Sequence, residues 1–161
     1  MSRFAVRWIF LLDSDYRYNV GRHLPAHWRE GSAFLDRKGH RRLEIHSNGD
    51  VVVLAGYAWD GCTPKFCIAD IVFGIPDGIP SEKTKKPKAY YASLLHDALY
   101  QFLDAGLPLT RHQIDLVFLE ILSRDRFAPK WVYFVAVRAF GALFRRFTHW
   151  KRSYAGKRTA L

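Results

Sequence analysis

The sequence predicts an α+β protein, with a small antiparallel sheet or hairpin in its N-terminal part and three helices in its C-terminal half. Three observations carry that expectation. Residues 1–57 hold β-branched and aromatic runs separated by turn residues. Residues 58–88 are crowded with proline and glycine. From Ala89 onward the apolar spacing becomes helical. A chain of 161 residues has the length of a single domain, and 49% hydrophobic with 16% aromatic residues is ample core material, which excludes wholesale disorder.

Taken in order, Phe4–Leu12 is the first apolar run of strand character. It carries Arg3 and Arg7 at its head and within it, so it does not read as a secretion signal. Lys38-Gly39 marks a turn. Leu43 and Ile45, then Asn48-Gly49, then Val51 to Leu54 form the clearest hairpin signal, with a type I′ turn expected at Asn-Gly. Pro64, Pro76, Pro80 and Pro87 exclude a long regular element in 58–88, and Ser81–Lys88, with its four lysines, reads as an exposed loop. Leu95, Leu99 and Phe102 stripe a helix over about Ala89–Leu103, which Gly106 and Pro108 end. Thr110 followed by Gln113 is a capping box opening the second helix, striped by Ile114, Val117, Phe118 and Ile121. Pro129 starts a third helix running to about Trp150, and 151–161 is a basic tail. Nothing divides 1–161 into two domains.

Charge is unevenly placed. Residues 1–125 contain 16 Lys/Arg and all 15 Asp/Glu, whereas residues 126–161 contain 9 Lys/Arg and no acid. The basicity therefore belongs to the C-terminal helix and tail, suiting an anionic membrane surface or the acidic face of a partner protein. Nucleic acid is the weaker partner, because the near-neutral body offers no continuing basic groove. The first turns of the third helix are apolar nearly all round (Trp131, Val132, Tyr133, Phe134, Val135), which predicts packing into the core. Farther on, Phe140, Phe144 and Phe147 are expected to be buried, and Arg138, Arg145, His149 and Arg152 to face water.

The candidate chemistry lies on the first two helices. His96 and Tyr100 are four apart and share a face. Asp115 falls on the stripe with Phe118, Leu119 and Leu122, so its carboxylate points inward, where a short connection brings it toward His96 and Tyr100. A carboxylate on one imidazole nitrogen fixes the tautomer and frees the other as a base. Asp97, beside His96, and Asp60, in the turn Asp60-Gly61, are hard oxygen donors suited to calcium or magnesium. Each feature also has a plain reading: a buried His–Asp–Tyr network joining two helices, and an Asx-turn at Asp60. Cys62 and Cys67, separated by four residues, have no histidines at zinc-ligand spacing. Ser93, three before His96, lacks a nucleophile-elbow context and reads as packing.

Four motifs in sequence order carry a resemblance. Gly-Tyr-Ala-Trp-Asp-Gly-Cys-Thr-Pro at 56–64, Leu-Leu-His-Asp-Ala-Leu-Tyr at 94–100, Arg111 with Asp115 and Phe118, and Val-Arg-Ala-Phe-Gly at 137–141 resemble the phage and prophage family called domain of unknown function 1353. The resemblance spans about residues 45–145 and implies a phage or prophage origin. That places the protein in the cytoplasm of a bacterial host or with the virion, and makes phage structural proteins the expected partners. His-Asp-x-x-Tyr on one helix with an Asp on the next is also similar to the core of secreted phospholipases A2. That likeness implies a general base at His96, a calcium ligand at Asp97, an orienting carboxylate at Asp115 and a supporting hydroxyl at Tyr100. The disulfides and the glycine-rich calcium loop of that family are absent from the sequence. Two functions therefore stand side by side: a cation-dependent hydrolase, and a non-catalytic phage morphogenesis or interaction protein.

Overall fold

A computed structural model describes residues 10–59, 66–68, 71–73, 80–81, 84–147 and 156–161, with the side chains of 66–68, 71–73 and 140–147 left outside that description. The strands are β1 (Phe10–Leu11), β2 (Tyr16–Asn19), β3 (Ser32–Leu35), β4 (Arg41–Ile45), β5 (Asp50–Val53), β6 (Ala58–Trp59), β7 (Phe66–Ile68), β8 (Ile71–Phe73) and β9 (Lys157–Ala160). The helices are α1 (Tyr90–Gln101), α2 (Arg111–Arg124) and α3 (Lys130–Phe147). The protein is α+β, with antiparallel sheets built from the N-terminal half and three helices in the C-terminal half.

The main sheet has the order β2-β5-β4-β3-β9, and every pairing in it is antiparallel. Its register puts Leu43 opposite Val53 and Ile45 opposite Val51. All four are fully buried, as a one-faced antiparallel sheet requires. The buried face meets α1 and α2: Leu94, Leu95, Ala98 and Leu99 of α1 and Ile114, Val117, Phe118 and Ile121 of α2 join the same core cluster. The Phe34 and Phe102 rings, 5.6 Å apart, tie β3 to the end of α1. Two smaller antiparallel pairs join β1 to β6 and β7 to β8.

The Asn-Gly hairpin forms, but its turn is not type I′. Only Gly49 has positive φ (+87°), Gly49 N–H donates to the His46 carbonyl, and His46 N–H donates to Asp50. That is a three-residue connection closed by a left-handed glycine, the next commonest hairpin solution. The Asp36-to-His40 turn repeats it with Gly39. Gly49 is also sterically required, because a Cβ there would come within 2.4 Å of the Gly21 Cα.

The loop region 58–88 holds three of the short strands, so it is less irregular than its prolines suggest. Ser81 N–H donates to Lys86, and Lys85 donates back to Ser81. The basic tail also differs from expectation. Lys157–Ala160 is an exposed strand that returns to the sheet edge beside β3. Four polar or small residues carry no alternating apolar pattern, so the strand left no period to read.

The capping box at Thr110 is present in both directions: Thr110 Oγ1 accepts from Gln113 N–H, and the Gln113 side chain accepts from Thr110 N–H. The start of α3 corrects the expectation of all-round burial. Tyr133 is buried against Phe127, but Trp131, Val132 and Val135 are each more than half exposed. The helix packs against α2, and within 130–139 Trp131, Val132, Val135 and Ala139 remain exposed. The expected burial of Phe140, Phe144 and Phe147 falls on side chains outside the described residues.

Candidate functional site

His96, Asp97 and Tyr100 project from α1, Arg111, His112 and Asp115 from the first turns of α2, and Arg138 from α3. The short connection between α1 and α2, turned by Gly106 in the left-handed region, makes the two helices neighbours and aligns these side chains. Asp115 is completely buried. Its Oδ1 lies 3.1 Å from His96 Nε2 and accepts a 2.8 Å hydrogen bond from the Tyr100 hydroxyl. Its Oδ2 is 3.4 Å from Arg138 Nη1. Because a carboxylate only accepts, His96 carries its proton on Nε2 toward Asp115. The other ring nitrogen, Nδ1, is 3.7 Å from an Asp97 oxygen. The imidazole stacks on the Tyr100 ring at 4.3 Å and meets the tilted Phe118 ring at 5.1 Å.

A second tier fixes the first. Arg111 Nε donates to the Tyr100 oxygen at 2.8 Å, and its Nη2 reaches the Arg138 carbonyl. Arg138 Nη1 also meets His112 Nδ1 at 2.8 Å. Among the described residues no buried side-chain nitrogen or oxygen lacks a partner.

Electrostatics follow from this packing. Burial alone would push the His96 pKa down, but the hydrogen bonds and charges of Asp115 and Asp97 outweigh it and hold the value above the ordinary 6.5. Burial first, and the Asp115 charge second, push the Tyr100 hydroxyl well above its usual range, so Tyr100 remains a donor. With Nε2 committed to Asp115, the nitrogen left able to accept a proton is Nδ1, and the raised pKa makes the imidazole a stronger base than a free one.

Sequence reasoning placed His96, Tyr100 and Asp115, and the structure brings all three together. Arg138 was expected to face water and is exposed, but it was not placed in the site, to which its guanidinium turns at Asp115. The available signal was an arginine isolated in the apolar run Trp131–Phe144. Arg111 lies one turn before Asp115 on α2, which was a second signal. Ser93 is a packing residue: its hydroxyl donates to the Tyr90 carbonyl and accepts from Trp59 Nε1. A separate cluster, Arg22, His23 and Glu120, pins the turn after β2 onto α2 and was not foreseen.

The metal expectation gains no donor set. Asp60 and Cys62 lie outside the described residues, and among the described residues no group of three or more His, Cys, Asp or Glu is gathered as a metal cage. Calcium takes six to eight oxygens, of which Asp97 would supply one or two. Comparison of the chain with family models, with curated proteins and with solved structures finds no match.

Proposed function

We propose that the protein is a hydrolase of phage or prophage type in which His96, oriented by Asp115, activates water against a carboxylic ester. The observation that carries this reading is the contrast between the two partners. Asp115 has no exposure, whereas His96 keeps 11% of its side chain exposed, so the orienting group is the more deeply buried of the two. In the proposed reaction a water donates a hydrogen bond to His96 Nδ1 and attacks the ester carbonyl as Nδ1 takes its proton. The new C–O bond gives a tetrahedral oxyanion. Collapse breaks the bond to the leaving alkoxide, which receives the proton from the imidazolium. Asp115 stabilises that imidazolium, and Tyr100, itself held by Arg111, keeps Asp115 in place. No step is routed through a cation. Cation dependence, assigned to Asp97 and Asp60, stays within the proposal as a separate question of binding.

A second reading has its own support. Every described buried polar atom in the site is partnered, which is what a purely structural network joining α1, α2 and α3 would show. In that case the protein is a non-catalytic phage morphogenesis or interaction protein. Hydrolysis of p-nitrophenyl butyrate separates the two. The hydrolase reading expects turnover by the wild type and its loss in His96→Gln with the circular dichroism spectrum retained. Equal rates for both proteins would assign the residues to structure alone.

A further inference from the structure

We infer that the exposed apolar arc of α3 docks on an anionic lipid surface. Trp131, Val132 and Val135 are 60, 65 and 62% exposed, and on a helix they fall within one arc together with the exposed Ala139. Three large apolar side chains gathered on one exposed arc mark a contact surface rather than ordinary surface scatter. The Trp131 ring is edge-on to Phe134 at 6.0 Å, which fixes it as part of a formed surface. No described helix is long and apolar enough to cross a membrane, so contact would be in the interfacial plane.

Charge selects the occupant. Lys130 begins this helix, Arg138 borders the apolar arc, and the α3 sequence carries four Lys/Arg (Lys130, Arg138, Arg145 and Arg146) with no Asp or Glu. A second copy of the chain would bring the same cationic segment to the same face, and the two would repel. A nucleic acid would meet apolar side chains where phosphates need donors. An anionic bilayer satisfies both features, because its headgroups attract the basic residues while its acyl boundary takes Trp131, Val132 and Val135. The inference does not rest on the hydrolase reading, since His96 takes no part in it.

Flotation with vesicles of phosphatidylcholine alone, or with phosphatidylglycerol added, tests it. The full chain should float with the anionic vesicles, not with the neutral ones, and release as salt is raised. The double variant Val132→Glu/Val135→Glu alters only exposed positions; its partitioning should fall about tenfold or more while its circular dichroism and urea midpoint match the wild type. Trp131→Ala, the milder variant, should show an intermediate loss. Absence of flotation, equal flotation with neutral vesicles, or wild-type flotation by the folded double variant would each overturn the inference. Dimerisation in light scattering that disappears in the same variant would assign the face to a second copy instead.

Discussion

Replacing Asp115 with asparagine keeps the volume of a side chain that has no exposure and removes the charge shared by His96, Tyr100 and Arg138. Removing one member of a buried charged pair costs about 3–5 kcal/mol, and the amide oxygen retains part of the hydrogen bonding, which places the expected loss at about 3 kcal/mol. The loss depends on pH with a defined sign. The folded-state pKa of His96 is raised above 6.5, so its contribution is fully present below the unfolded value and disappears as pH rises through the folded one. Asparagine removes the main cause of the raised value. The gap between the two proteins should therefore be widest near about pH 6 and narrower at about pH 8.5. Urea unfolding followed by circular dichroism is the assay. With a slope of about 2 kcal/mol per molar, the midpoint should drop by about 1.5 M at the lower pH. A drop below about 0.3 M, equal at both pH values, would refute the reasoning, because an uncharged or loosely held His96 would then account for the site.

Other expectations concern single positions. Gly49→Ala forces a side chain into a left-handed backbone and against the Gly21 Cα, so thermal unfolding should show a loss of about 2 kcal/mol or more. Thr110→Ala removes the cap of α2 and should cost about 1 kcal/mol in the same measurement. Leu95→Ala, at a fully buried position in α1, should cost about 2–5 kcal/mol in urea unfolding. Millimolar calcium titrated into the wild type should release heat that Asp97→Asn does not, and no heat from the wild type would remove the cation from the proposal.

Much of this structure was legible because local signals and tertiary packing agree. The stripe Leu95, Leu99 and Phe102 and the capping box at Thr110 each specify one helix, and both helices are present where those residues place them. The same helical geometry put Asp115 inward, and a buried carboxylate on an apolar stripe needs partners, so its meeting with His96 and Tyr100 followed from spacing alone. Other features depended on contacts that spacing does not encode. An Asn-Gly pair permits several hairpin turns, and the one adopted is set by a three-residue loop whose Gly49 packs on Gly21. An apolar helix start reads as core whether or not a partner exists to cover it, so Trp131, Val132 and Val135 were expected inside. Arg138 looked like one of a row of surface cations. Its bond to Asp115 depends on how α3 crosses α2, and no local pattern reports a crossing.

The central claim is that His96, held by Asp115, is a base acting on water. The pH dependence of kcat/KM for p-nitrophenyl butyrate, measured from about pH 5 to about pH 9 on the wild type and Asp115→Asn, tests it most directly. The wild-type rate should rise through a single inflection above 6.5, because only neutral imidazole accepts the proton. In Asp115→Asn the inflection should move to lower pH and the plateau should fall by about 100-fold or more as the oriented tautomer is lost. An inflection that stays in place, or a plateau that Asp115→Asn leaves unchanged, would contradict the account.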